Sequence, residues 1–130
     1  MRYLTFTEIW KLHDLAIAHI GGSYGLLDRN RLESFINRSQ TDRHPTLLVD
    51  KAAALWWYIG LSESFVDGNK ITAYAAAEVF LLLNGLKINT SVDERKQMIL
   101  EISEGNSSRE KLAQWLRCHV QSQDIDIENR

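Results

Sequence analysis

Residues 47–85 read LLVDKAAALWWYIGLSESFVDGNKITAYAAAEVFLLLNG, two strongly apolar stretches separated by a polar, glycine-containing insert. In the first stretch Leu48, Ala52, Leu55, Trp56 and Ile59 recur at helical spacing and share one face. The alanine run beside them lets a neighbouring helix approach closely, so a third helix, roughly 47–65, is expected near the centre of the molecule. The second stretch, from Thr72 to a terminating glycine at Gly85, is apolar on every side and is expected to be the core helix. Trp56 and Trp57 are consecutive and cannot face one way on a helix, so Trp56 reads as core and Trp57 as partly exposed.

Outward from this pair the same helical punctuation continues. Thr5 and Glu8 form a capping box ahead of Ile9, Leu12, Ala16 and Ile20, and Gly21-Gly22 end that helix. Asp28 can cap a short helix carrying Leu32, Phe35 and Ile36, after which TDRHPT reads as a polar connector. Ser91 with Glu94 and Ser107 with Glu110 open two more helical patterns, one with Met98, Ile99 and Ile102, the other with Leu112, Trp115, Leu116 and Val120. The fold class implied is all-α, a compact bundle of about six helices in a single domain over residues 1–120. The tail 121–130 carries Asp124, Asp126 and Glu128, has little to bury, and is expected to be frayed or partner-bound.

Composition narrows the function classes. The chain has 130 residues, 45% hydrophobic and 25% charged, enough for one core without disulfide or metal staples. Its net charge of −2 gives no global basic field, so direct nucleic-acid binding is not expected. Arg29, Arg31, Arg38 and Arg43 make residues 28–43 locally basic, which reads as a solvated helix face. No apolar run reaches membrane-spanning length, Cys118 has no second cysteine to pair with, and the polar N-terminal residues leave no signal-peptide core; a cytoplasmic protein is expected. Cys118 reads as a small, buried or half-buried helix residue. His13 and His19 read as ordinary surface or partly buried histidines of the first helix, and neither His44 nor His119 lies in the insert.

The insert itself, Glu63-Ser64-Phe65-Val66-Asp67-Gly68-Asn69-Lys70-Ile71-Thr72, carries more polar groups than a core junction needs. Gly68 and Asn69 can adopt positive φ and turn successive backbone N–H groups outward where the next helix begins, the arrangement that binds anions. Lys70 would add a cation at the same mouth, Phe65 would point inward as an anchor, and Asp67 could hold a divalent metal bridging phosphate oxygens. Asp67 could equally cap the helix, the two roles being compatible, and Asp-Gly and Gly-Asn are also common turn dipeptides.

These residues resemble the Doc branch of the Fic/Doc family, whose central loop reads His-x-Phe-x-Asp/Asn-Gly/Ala-Asn-Lys-Arg-Thr. The present chain has Glu63-x-Phe65-x-Asp67-Gly68-Asn69-Lys70-Ile71-Thr72. LTFTEIWKLHD, GGSYGLLDRNRLESFINRSQ, KAAALWWYIG and TAYAAAEVFLLLNG also follow the Doc pattern in order and spacing, from about Leu4 to Leu86. The resemblance implies a Fic-type helical fold that holds ATP with Mg, transferring a nucleotidyl or phosphoryl group to a hydroxyl of a translation-machinery protein. It further implies Asp67 as the metal carboxylate, Gly68 and Asn69 as the anion-hole segment and Lys70 as the phosphate cation. A cognate antitoxin or other small protein is the implied partner.

Two positions depart from the pattern. Glu63 stands where the family has the histidine that accepts the hydroxyl proton, and Ile71 stands where it has an arginine that clamps phosphate. A carboxylate beside Asp67 and a polyphosphate adds charge of the wrong sign and is a weaker base than imidazole. An aliphatic chain cannot replace a forked donor. The leading expectation is therefore a Doc-like protein with a degenerate loop, weakly active or inactive, that acts by binding. A working transferase with Glu63 as base, and a helical interaction module without nucleotide, are the alternatives.

Overall fold

In the computed structural model, which describes residues 1–41 and 47–123, the two apolar stretches form a central helix pair. The helices in chain order are α1 (Phe6–Ile20), α2 (Arg29–Thr41), α3 (Leu48–Ser62), α4 (Asn69–Leu83), α5 (Val92–Ser103) and α6 (Arg109–His119). Two short strands, β1 (Leu86–Ile88) and β2 (Val120–Ser122), pair antiparallel. The connector after Thr41, including Arg43 and His44, and the acidic residues 124–130 lie outside the described residues.

α3 packs against α2, α4 and α6, and α4 packs against α1 as well, so the pair forms the hub of the bundle. Ala52, Ala53 and Ala54 on α3 and Ala73, Ala76 and Ala77 on α4 are all buried, and their small side chains allow the close approach. Trp56 fills the centre, edge-on to Tyr74 at 5.1 Å and to Trp115 at 6.1 Å, while Trp57 is half-buried. Burial, then the Tyr74 hydroxyl's bond to Glu78 Oε2 at 2.6 Å, pushes the phenol well above its ordinary value, so it remains a donor.

The caps explain where elements begin. Thr5 Oγ1 accepts from Glu8 N at 3.1 Å while Glu8 Oε1 accepts from Thr5 N at 2.9 Å, the reciprocal box read from the sequence. Asp28 Oδ1 accepts from Arg31 N at 2.9 Å, but α2 then runs for 13 residues and is not short. Ser91 caps α5 as expected. At α6 the cap is Ser108, not Ser107, because it is the Ser108 hydroxyl that accepts the Lys111 amide.

Three other expectations are corrected. The inward face of α1 is Ile9, His13 and Ile17, and Ile20 is exposed, because the polar atoms of His13 find partners inside. The chain does not leave the fold at 120: β2 continues to Ser122, and Gln123 bonds to the carbonyls of Gly85, Leu82 and Leu86. Cys118 is exposed on α6, since its neighbours Leu112, Ala113 and Leu116 define the buried side. No helix among the described residues is long and apolar enough to cross a membrane.

Candidate functional site

The α3–α4 connection lies three residues earlier than the sequence suggests, because α3 stops at Ser62 and α4 already starts at Asn69. Two buried serines close the α3 end: Ser62 Oγ donates to Ile59 O at 2.7 Å and Ser64 Oγ to Ser62 O at 3.3 Å. Glu63, at φ 44 and ψ 44, is the one non-glycine residue with positive φ among the described residues. The left-handed region costs an L-residue about 1–2 kcal/mol, part of which glycine returns through its freer unfolded state. Glu63→Gly is therefore expected to raise unfolding stability by about 0.5–1 kcal/mol in a denaturant titration, with an unchanged slope.

Phe65 turns into the core with 1% of its surface exposed, as expected of the anchor. Its backbone is gripped at both ends by one side chain: Phe65 N donates to Asn69 Oδ1 at 3.0 Å, and Asn69 Nδ2 donates to Phe65 O at 2.9 Å. Asn69 is thus the first helical residue and a loop clamp, not a second positive-φ position beside Gly68. Gly68 does take positive φ, at 75°, and serves as the α4 N-cap with no side-chain cap bond.

The turn after α1 lies along the same loop. Leu27 N donates to Ser64 O at 2.7 Å and Val66 N to Gly25 O at 3.0 Å, a short antiparallel contact. Asp67 does not cap α4. Its Oδ1 accepts from Gly68 N at 3.0 Å and its Oδ2 from Ser23 N at 3.3 Å, and a Cβ on Gly22 would lie only 2.7 Å from Oδ2.

His13 completes the back of the loop. It is fully buried, its ring stacks on Phe65 with centroids 3.9 Å apart, and Nε2 lies 2.7 Å from the Asp67 carbonyl oxygen. The sequence reading placed no histidine at this site. The available signal was the Ile9-His13-Ile17 line at i, i+4 spacing, which puts His13 between two core positions. His19 bonds within α1, and His119 bonds to Trp115 O and Glu94, away from the loop.

The opposite side of the loop is open. A groove of about 600 Å³ is lined by Glu63, Asp67, Gly68, Asn69, Lys70 and Ile71 among others, and Lys70 is its one cation. Glu63, Asp67 and Lys70 are exposed, and Lys70 forms no ion pair with a described residue. The backbone N–H groups of Asn69, Lys70 and Ile71 have no acceptor among the described residues, so α4 presents its positive end to the groove. Glu63, Lys70 and Gly60 also border a neighbouring apolar pocket of about 140 Å³ walled by Trp56, Trp57 and Ile102. The loop residues expected at the site are therefore brought together, with Phe65 and Asn69 holding the loop from within.

This loop sits inside the segment that a family model recognises: the Fic/DOC family model matches residues 3–81. The chain belongs to the Fic/Doc family. Within the family it stands with the Doc branch. It is 31% identical over 120 residues to the protein named Protein kinase doc of Escherichia phage P1, covering 90% of this chain and 94% of that one. It is 33% identical over 100 residues to the protein named Toxin Doc of Mycolicibacterium smegmatis, covering 72% and 76% respectively. In this Fic/Doc chain Glu63 occupies the strained exit of α3, and Ile71 lies in the first turn of α4, half-buried against the core.

Proposed function

We propose that this Doc-like protein of a toxin–antitoxin type binds the phosphates of Mg–ATP at the start of α4, transfers little or nothing from it, and acts by binding. The observation that carries the reading is the pairing of three unsatisfied amides and an unpaired Lys70 with Glu63 and Ile71 on the same groove. The anion-binding half is complete, whereas the groups that would accept a proton and clamp charge are a carboxylate and an aliphatic chain.

The residues fit such a ligand. Each Asp67 oxygen takes one backbone N–H and retains a lone pair for a cation. No cluster of three or more His, Cys, Asp or Glu occurs among the described residues, which suits a Mg ion that takes most of its ligands from phosphate and water. Bound there, Mg–ATP would supply the transferable phosphoryl or nucleotidyl group. Gly68 lets the backbone approach it, the α4 amides and Lys70 orient it, and Glu63 opposes it by charge. Because the relatives carry toxin and kinase names, a small antitoxin protein is the partner proposed. Exposed Leu27 and Val66 line the groove and exposed Leu61 the neighbouring pocket, an apolar margin for such a cover.

Calorimetric titration with Mg–ATP tests the binding. Lys70→Ala is expected to weaken it about tenfold, the scale of one charge-assisted phosphate contact. Absence of binding would instead favour a helical interaction module without nucleotide, and binding indifferent to Lys70→Ala would move the site elsewhere. The competing reading, a working transferase, draws on the exposed position of Glu63 on the groove wall. Label transfer by the unaltered chain that Glu63→Ala abolishes would establish it.

A further inference from the structure

A carbonyl oxygen can only accept, so the 2.7 Å contact makes His13 Nε2 the donor to Asp67 O. The stacked Phe65 ring holds the imidazole in this orientation, and Asp14 Oδ1 lies 3.1 Å from Nδ1, where a second ring N–H would donate to it. The Asp67 carbonyl has no other partner among the described residues.

The identity of that carbonyl matters. Were α4 to begin one residue earlier, the i→i−4 pattern would join the Ile71 amide to Asp67 O. That oxygen instead points to His13 on α1, and α4 starts at Asn69 behind the left-handed Gly68, its first backbone bond being Thr72 N to Gly68 O at 3.1 Å. A side chain at 68 would be strained by the left-handed φ and crowded as well, since a Cβ there would lie 3.0 Å from Ile17 Cδ1.

We propose that His13 is a positioning residue for the anion site: by turning the Asp67 carbonyl toward α1 it holds that oxygen out of line with α4, so that the Ile71 amide stays unpaired at the groove. The phosphate role of that amide rests on the function proposed above, whereas its unpaired state does not. His13 is buried behind Phe65 and cannot reach a substrate, so it does not stand in for the proton acceptor absent at Glu63.

The experiment is residue-resolved amide hydrogen exchange on the unliganded chain, with Mg–ATP titration as a second readout. His13→Phe keeps a ring to stack on Phe65 but removes the donor. His13→Gln restores an N–H near the position of Nε2, and His13→Asn carries the same amide on a shorter arm. In His13→Phe and His13→Asn the Ile71 amide is expected to exchange at least tenfold more slowly as it pairs with Asp67 O, and Mg–ATP is expected to bind about tenfold more weakly. His13→Gln should lie within about threefold of the unaltered chain in both. If His13→Phe fails to fold, His13→Asn against His13→Gln makes the same comparison. Unchanged Ile71 exchange in the donor-deficient variants that fold overturns the proposal whatever the affinity does. Failure of the unaltered chain to bind Mg–ATP overturns the proposed function and leaves the exchange result to judge His13.

Discussion

Changing Glu63→His and Ile71→Arg together is expected to raise the transfer of label from ATP to protein in a bacterial lysate by at least about a hundredfold over the unaltered chain. The scale follows from general acid–base catalysis, roughly 10²–10⁴ in rate, to which a forked phosphate clamp adds separately. At position 63 the substitution removes a negative charge from the groove that Asp67 also lines, where the proposed polyphosphate would bind, and introduces a base that is largely neutral near pH 7. At position 71 it places a planar, permanently charged donor in the first turn of α4, beside the free amides.

Each single change should recover less than its share, because a base without a clamp and a clamp without a base act on the same charge development. Label from γ-labelled but not α-labelled ATP would mark phosphoryl transfer, and label from the α-position nucleotidyl transfer. If the unaltered chain labels protein as strongly as the double variant, the degenerate-loop reading is wrong. If neither labels, the family frame is present without its transfer chemistry.

The parts of this molecule legible from sequence are those set by local chemistry or by strong periodicity. Thr5 and Glu8 fix the start of α1 through two short-range bonds, and the alanine-rich faces of α3 and α4 leave no other packing for Trp56. Phe65 is the one aromatic residue of a polar loop, and the large apolar area it would otherwise expose favours its burial over that of Val66.

What sequence reasoning missed are choices made across the fold. Of the serine pair at 107 and 108 the local pattern favours the first, which has Glu110 three residues on, yet the geometry entering α6 selects the second. The pairing of β1 with β2 joins residues more than thirty positions apart through backbone groups, which hydrophobic pattern does not encode. His13 is polar by letter and core by position. The Asp67 carbonyl, brought to it from 54 residues away, compensates the burial of Nε2. Asn69 likewise reads as a turn residue, whereas its amide spends both functions on the backbone of Phe65.

Phe65→Ala is expected to cost about 3–5 kcal/mol of unfolding free energy, the range for truncating a fully buried aromatic residue. In a domain of this size that corresponds to a fall of roughly 10–20 °C in Tm. The side chain is 1% exposed and stacks on His13, so truncation opens a cavity against a ring whose other contacts hold it in place. The surroundings cannot easily collapse into the space, because the backbone on either side is bonded to Gly25, Leu27 and Asn69. Phe65→Leu, which keeps most of the volume and loses the stack, should cost no more than about half as much. A loss below about 1 kcal/mol for Phe65→Ala would mean that the loop is a separate surface feature and not part of the core. The same coupling ties Phe65, Gly68 and Asn69 to the fold, whether or not the loop transfers anything. Glu63 is exposed and Ile71 half-buried against the core, and neither side chain takes part in these bonds.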